Sequence, residues 1–288
     1  MADNADPGVF ADFKYYYYDP SLAAAIIFLL LFLGTTSYHG WQMWKGRVWY
    51  YIPLVLGGLF EVIGFIGRAA SSQQTPDWTL GPYIIQSLFL LLAPALFAAS
   101  IYMELGRLIL VIDAEKYSPI PKRWLTKIFV AGDVLSFMMQ GAGGGLLAVA
   151  KTEDEVSRGE NVIIGGLFVQ IVFFTVFVVV SCLVHFRIHK QPTAASLSPN
   201  FPWLKHQYAL YGGSVLILIR SVFRAIEYIQ GNGGYLLSHE AFLYVFDSLL
   251  MFLVLVIFNI YHGGEIKKML GGAKEPSTSH ELAQNYNV

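Results

Sequence analysis

Three ionisable residues interrupt an apolar stretch of this sequence, "LILIRSVFRAIEYIQG" at 216–231. Arg220, Arg224 and Glu227 are four and three residues apart, so a helix places them on one face. Charged groups on one face of an apolar helix can pair with charges on neighbouring helices or contact the polar head of a ligand. The spacing therefore indicates a polar interior face, either a structural ion-pair lock or a network that also lines a ligand site.

Two other apolar stretches carry charges that fit the same interior. Glu61 and Arg68 are seven residues apart in "FEVIGFIGR", and Asp247 lies two turns beyond His239 and Glu240 in "SHEAFLYVFDS". Together with the first three residues, Glu61, Arg68 and Asp247 make three positive and three negative charges. A charge at the bilayer centre costs at least about 2.5–3.5 kcal/mol, so we expect these side chains to face one another inside a bundle.

A fourth polar stretch, "GDVLSFMMQGAGGG", places Asp133, Ser136 and Gln140 at a spacing that shares a helical face. We interpret Gln140 as ligand-facing, and Asp133 and Ser136 as inner structural polar residues. The glycines lack the lysine of a phosphate loop. Gly141 and Gly145 instead fit the small-xxx-small pattern of close helix packing.

The histidines do not predict a metal centre. His185 and His189 have a spacing that suits a metal, but "HFRIH" lacks the glutamate of a zinc protease and ends a helix where cations are expected. We therefore predict no metal site, no catalytic residue and no resident cofactor. An intramembrane lipid hydrolase that uses cytosolic-side histidines with Asp133 and Ser136 is kept as an alternative.

The composition is that of a membrane protein. Of 288 residues, 55% are hydrophobic and 14% are charged, whereas soluble domains average about 25% charged residues. A helix needs about 20 apolar residues to cross the hydrocarbon, and a strand would expose unpaired backbone groups there. Pro94, in the third stretch, should free a backbone carbonyl. We predict an all-α, polytopic fold with seven transmembrane helices, at approximately 21–44, 48–70, 82–111, 124–149, 161–185, 207–229 and 240–263.

Basic residues predict the orientation. Lys and Arg concentrate after the first, third and fifth stretches and in the C-terminal tail. The positive-inside rule then places the N-terminus outside and the C-terminus in the cytosol. We predict an extracellular acidic and aromatic tail at 1–20, a seven-helix domain at 21–264 and a disordered cytosolic tail at 265–288. The net charge of −1 argues against nucleic acid as a partner.

Six segments in order resemble a known family: "YDPSLAAAIIF", "EVIGFIGR", "LAPALFAASIYMELGR", "DVLSFMMQGAGGG", "LIRSVFRAIEYIQG" and "HEAFLYVFDSLLM". Together they are similar to the fungal lipid-translocating exporter family, the RTA-like proteins, over roughly residues 15–265. The resemblance implies a multi-pass, seven-span protein of the plasma membrane or related membranes. It also implies release or flipping of sphingoid bases, resistance to membrane-active or sterol-directed toxicants, and porphyrin or haem handling.

The resemblance also implies a polar signature, which falls on Glu61, Arg68, Asp133, Gln140, Arg220, Arg224, Glu227, His239, Glu240 and Asp247. We therefore expect a protein that binds an amphipathic, lipid-like molecule and translocates or exports it, rather than an enzyme. Its partners would be membrane lipids and that ligand, and haem or porphyrin would enter as a ligand. A seven-helix lipid receptor or sensor without transport is the first alternative, and the hydrolase is the second. The oligomeric state stays open.

Overall fold

The computed structural model describes residues 16–149, 152–199, 202–231 and 234–272. Within these ranges the chain is helical and contains no strand, which confirms the all-α prediction. The helices are α1 Leu22–Gly46, α2 Ile52–Ser72, α3 Leu80–Val111, α4 Lys122–Val149, α5 Glu153–Lys190, α6 Trp203–Ile229, α7 Glu240–Leu243, α8 Leu249–Ile260 and α9 Gly264–Gly272.

Six helical segments of the described chain are long and apolar enough to cross a membrane. They are Leu22–Gly46, Trp49–Ser72, Leu80–Val111, Asp154–Lys190, Trp203–Ile229 and Glu240–Ile260. The protein is therefore an integral, multi-pass membrane protein. The predicted fourth span is helical over its whole length as α4, but its polar residues and glycines make it less apolar than the other six.

The sequence predicts one helix for the last apolar segment, but the structure shows an interruption. A five-residue π segment, Tyr244–Ser248, joins α7 to α8. A π turn holds more residues than an α turn and is frequent at functional sites. Asp247 and Ser248 are both buried within this segment, so the irregular turn lies where the span carries its charge.

Glycines let α2 approach α3 closely. A Cβ atom at Gly67 would lie 2.9 Å from the backbone nitrogen of Gln86 and 3.0 Å from the carbonyl oxygen of Pro82. At Gly57 it would lie 2.6 Å from the ring of Phe97. The two helices are therefore held at a separation that a larger residue at these positions would disturb.

The predicted packing role of Gly141 and Gly145 is wrong. A Cβ atom at either position would meet nothing within 4 Å. Gly143 makes the contact with α5 instead, where a Cβ atom would lie 2.7 Å from the carbonyl oxygen of Gly159. The spacing was compatible with either choice, and the rotation of α4 about its own axis decides which glycine faces α5.

One end of the bundle gathers the segments that the sequence predicts to be cytosolic. Lys267 of α9 donates to the carbonyl oxygens of Gly46 and Arg47, at 3.0 and 2.9 Å. Thr193, after α5, donates to the carbonyl of Ile112, after α3, at 2.6 Å. The predicted tail at 265–288 thus begins within α9, and residues 273–288 lie outside the described residues.

Candidate functional site

The deepest ion pair joins α6 to the π segment. Arg220 is fully buried and donates from Nε to Oδ1 of Asp247 at 2.5 Å. Its Nη2 donates to the backbone carbonyl of Leu90 at 2.9 Å. That carbonyl is free because Pro94, four residues later, has no N–H to offer it. The carbonyl predicted to be freed in the third span is therefore present, and it links Arg220 to α3.

Arg224 lies one turn further along α6. Its Nη1 donates to Oε2 of Glu227 at 2.6 Å, and its Nε lies 4.0 Å from Oδ2 of Asp247. Arg220, Arg224 and Glu227 are all buried, so the prediction that this face of the sixth span points into the bundle is confirmed. Two guanidinium groups and two carboxylates match one another here.

Glu61 of α2 adds a third carboxylate, for which the described residues offer no matching cation. Its side chain is 2% exposed and lies in electrostatic range of Asp247, Arg220 and Arg224. Both arginines are engaged by other acids, and Glu61 makes no hydrogen bond or ion pair with any residue of the described ranges. We refer to Glu61, Arg220, Arg224, Glu227 and Asp247 as the inner charge layer.

Arg68 belongs to a separate group nearer the other end of the bundle. Its Nη2 donates to Oε1 of Glu240 at 2.7 Å and to the Tyr18 hydroxyl at 3.0 Å, while its Nε donates to the Tyr244 hydroxyl at 2.9 Å. The backbone N–H of Ser21 donates to the same Glu240 oxygen at 2.8 Å. We refer to these five residues as the outer charge group. Since Arg68 pairs here, the predicted balance of three positive and three negative charges does not hold in the inner charge layer.

Residues 16–21 close this end of the bundle. The Tyr16 hydroxyl donates to Oε1 of Gln86 at 2.9 Å, and its ring packs edge-on against Trp78 and Tyr83. Burial raises the pKa of Tyr16, so its hydroxyl remains a donor at neutral pH. The sequence analysis assigned Tyr16 to an extracellular tail, whereas its side chain packs into the bundle.

The polar residues of α4 lie apart from the inner charge layer. Gln140 Nε2 donates to the Ser136 hydroxyl at 2.7 Å, and that hydroxyl donates to the carbonyl of Gly166 at 2.7 Å. Asp133 is buried and interacts with Tyr102 of α3, although neither makes a hydrogen bond within the described ranges. Ser136 is engaged by an amide and a carbonyl rather than by a histidine, which disfavours the hydrolase alternative.

The histidines do not form one group, although His39 and His262 have ring centroids 6.4 Å apart at the α9 end. His239 is exposed, and its Nδ1 lies 2.9 Å from the carbonyl oxygen of Tyr235. His185 Nδ1 lies 3.0 Å from the Tyr211 hydroxyl, while His189 is exposed. The part of the chain that the structure describes contains no group of three or more His, Cys, Asp or Glu residues arranged to hold a metal ion.

A polar cluster at the α9 end was missed by the sequence analysis. The Tyr51 hydroxyl donates to Oε2 of Glu104 at 2.5 Å and accepts from the N–H of Gly263 at 3.2 Å. His206 lies 3.5 Å from Glu104 and 3.3 Å from Glu265. Glu104 could have been noticed in the sequence as an acid in the predicted third span, but its partners come from three other segments.

An apolar groove lies beside the inner charge layer. It has a volume of about 520 Å³ and runs between α6 and α8. Its lining residues are Tyr211, Gly212, Val215, Leu216, Leu253, Val256 and Ile257. Leu216 is one helical turn from Arg220, so one end of the groove lies close to the buried charges along α6. This arrangement suits a molecule with a polar head and an apolar tail.

Comparisons with known proteins agree with these features. Residues 54–269 match the family model described as RTA1 like protein. Three relatives are from Saccharomyces cerevisiae. Protein RTA1 is 39% identical over 271 residues, which cover 85% of this chain and 84% of the relative. Protoporphyrin uptake protein 1 is 37% identical over 284 residues, with coverages of 86% and 91%.

A more distant relative is the sphingoid long-chain base transporter RSB1 of strain YJM789. It is 26% identical over 279 residues, which cover 85% of this chain and 72% of the relative. No solved structure matches the chain. Because the family match extends over most of the seven predicted spans, the chain belongs to the RTA1-like protein family.

Proposed function

We propose that this protein binds an amphipathic, lipid-like molecule among its helices and translocates it between leaflets or exports it. The observation that carries this proposal is Glu61, a buried carboxylate with no partner cation among the described residues, in a layer one helical turn from an apolar groove. A network that served only as a structural lock would gain nothing from an unmatched buried acid, which costs stability.

The relatives support the class of ligand. One is named for the transport of a sphingoid long-chain base and another for the uptake of protoporphyrin. Both kinds of molecule combine an apolar body with ionisable groups. For this chain the substrates in view are a sphingoid base, a sterol-like toxicant or a porphyrin, and translocation would contribute to lipid asymmetry or to toxicant resistance.

We also propose that the protein crosses the plasma membrane seven times, with its N-terminus outside. The 28-residue length of α4 supports a seventh span. So does the meeting of the segments after α3 and α5 at one end of the bundle, since α4 and α5 must then traverse it in opposite directions. The basic residues at that end favour a cytosolic location.

The proposed ligand site keeps the residues identified from the sequence and orders them. The inner charge layer would meet the polar head, and Arg68 and Glu240 would line the path from the outer end. His239 is exposed beside that path, whereas Gln140 lies apart from the inner charge layer and would contact only a part of the ligand that reaches α4. Asp133 and Ser136 keep a structural role.

The test is reconstitution in liposomes with a sphingoid base that carries a fluorophore at the end of its tail, so that the amine is free. We expect faster movement of the probe between leaflets than in protein-free liposomes. Saturable binding without faster movement would favour the sensor, and a cleaved product detected by mass spectrometry would favour the hydrolase.

A groove-filling variant sharpens the test. Gly212→Leu places a side chain among the groove residues, where its Cβ atom would lie 3.3 Å from Ile257. Displacing about two methylene groups of the tail, at about 0.8 kcal/mol each, should weaken binding roughly tenfold. Gly34→Leu is the matched control, since it changes an exposed glycine of α1 with no atom within 4 Å of its Cβ position. Equal binding by both variants would remove the groove from the proposal.

A further inference from the structure

The inner charge layer contains one more carboxylate than its arginines can match. Arg220 is bonded to Asp247, and Arg224 to Glu227, with Nε–Oδ1 and Nη1–Oε2 distances of 2.5 and 2.6 Å. Glu61 of α2 is 2% exposed and lies in electrostatic range of Asp247 and of both arginines. Arg68, the other cation of α2, is taken by Glu240 in the outer charge group.

Within the part of the chain that the structure describes, the surroundings of Glu61 add no further charge. The titratable groups that act on it are Asp247, Arg220 and Arg224, contributed by α6 and the π segment. The neighbouring helices α1 and α3 present Phe32 against Phe65 and Leu90 against Gly64, one turn along α2 from Glu61. The immediate environment of the carboxyl group is therefore apolar except for two ion pairs that already match each other.

An isolated ionised carboxylate is too costly to bury in such a place. Two arrangements avoid that cost. Glu61 can hold a proton and be neutral, or it can be ionised beside a cation that enters with a ligand. An anionic head would find both arginines already paired with acids, so the layer favours cationic ligands over carboxylate-bearing ones.

We propose that Glu61 is a proton-exchange site for the ammonium head of a long-chain amine. In the empty protein the carboxyl group carries a proton. When a ligand of the form R–NH₃⁺ arrives, the O–H bond of Glu61 breaks, an ion pair forms between the carboxylate and the ammonium group, and one H⁺ leaves to water. The charge of the layer is the same before and after. This inference rests on the proposed function and specifies its headgroup.

Such an exchange makes the proton and the amine mutually exclusive at one carboxylate. A carrier with this property would move amines one way and protons the other, because an empty, ionised carboxylate is too costly to bury and only the two loaded forms would reorient. The bound tail would follow the apolar groove that begins one turn from Arg220. A proton gradient could then supply the energy for transport.

The exchange predicts a specific pH dependence of binding. The experiment uses the full chain in lipid nanodiscs and two probes. The first is a C18 primary alkylamine, which is protonated between pH 6 and 8 because the pKa of an alkylammonium group is about 10.4. The second is its quaternary trimethylammonium analogue, whose charge is fixed. If one proton is released per ligand, the Kd of either probe falls about tenfold for each unit rise in pH. A pH-indicator dye in weak buffer should count one proton released per bound ligand.

Two variants provide the comparison. Glu61→Gln keeps the size of the side chain but can neither release a proton nor carry a charge, so its Kd should be at least about tenfold higher at pH 8 and independent of pH. Asp133→Asn makes the same chemical change at a buried acid of α4, outside the inner charge layer, and should retain the tenfold slope. The N-acetylated alkylamine, with the same tail and no charge, should bind without a pH slope.

The outcomes separate this inference from the proposed function. Amine binding to the unaltered protein with no pH slope and no released proton would overturn the inference, as would a Glu61→Gln variant that keeps both slope and affinity. Binding of protoporphyrin or the N-acetylated probe without the amines would also overturn it, while the proposed function would stand. If no amphipathic probe binds, both are wrong. Should Glu61→Gln fail to fold, the slope and proton count of the unaltered protein decide.

Discussion

Replacing Asp247 with Asn should reveal whether Glu61 can substitute for a lost charge. The substitution keeps the size of the side chain and removes the carboxylate that Arg220 faces at 2.5 Å. Arg220 is fully buried and keeps the carbonyl of Leu90, 2.9 Å from its Nη2, but the side chain that faces its Nε is then a neutral acceptor. Glu61, in electrostatic range of both arginines, can then lose its proton and restore neutrality.

The loss in free energy of unfolding on Asp247→Asn depends on whether Arg220 keeps a compensating negative charge. Losing one charged hydrogen bond costs about 1.5–3 kcal/mol, whereas leaving a buried charge without its partner costs about 3–5 kcal/mol. Because Glu61 can ionise, Asp247→Asn alone should fall in the lower range. In a Glu61→Gln background no acid is left to compensate, and the same substitution should cost the higher amount. The difference is a coupling energy of about 1–3 kcal/mol.

The free energy of unfolding can be measured for the four proteins of this cycle by SDS titration in mixed micelles, followed by tryptophan fluorescence and circular dichroism. Glu61→Gln alone should be neutral or slightly stabilising, because it removes an unmatched buried acid. Asp133→Asn is the control for any buried acid and should show no coupling to Asp247→Asn. Equal costs of Asp247→Asn in both backgrounds would refute the reasoning, since Glu61 would then not sense the charge of Arg220.

Three further predictions concern packing, the α9 end and the histidines. Gly57→Ala should destabilise the fold by about 1–3 kcal/mol in the same titration, because its Cβ would lie 2.6 Å from Phe97. The control, Gly34→Ala, should not destabilise it, because no atom lies within 4 Å of that Cβ position. Equal effects of the two substitutions would contradict the close approach of α2 and α3. Glu104→Gln should cost about 1.5–3 kcal/mol by weakening the charged hydrogen bond from Tyr51, and an unchanged unfolding midpoint would contradict it. Elemental analysis of unsupplemented protein should find no stoichiometric zinc or iron, and a metal lost on changing the histidines of "HFRIH" would show this wrong.

Several features could be predicted from the sequence because they are local. The apolar stretches and the shortage of charge predicted a helical membrane protein, since the length of a span follows from the thickness of the hydrocarbon. The common face of Arg220, Arg224 and Glu227 followed from helical periodicity alone. The free carbonyl near Pro94 followed from the missing N–H of proline. None of these inferences required knowledge of which helices are neighbours.

The partners of those residues were decided by tertiary structure. The count of charges along the chain included Arg68 and left out Glu240, yet packing brings these two together and leaves Glu61 unmatched. The carbonyl freed by Pro94 is that of Leu90, and the group that donates to it, Arg220 on α6, is 130 residues away in the sequence. Sequence spacing fixes which side chains share a face, but the distance between two helices and their relative depth decide which faces meet.

Helix rotation and local irregularity were likewise beyond the sequence. The glycine run of α4 offered several packing choices, and only the rotation of the helix selected Gly143 over Gly141 and Gly145. The π segment at Tyr244–Ser248 places the buried Asp247 on an irregular turn, in a stretch whose pattern is that of a regular helix. Periodicity along one chain determines what a helix can present, whereas the packing of several helices determines what each residue contacts.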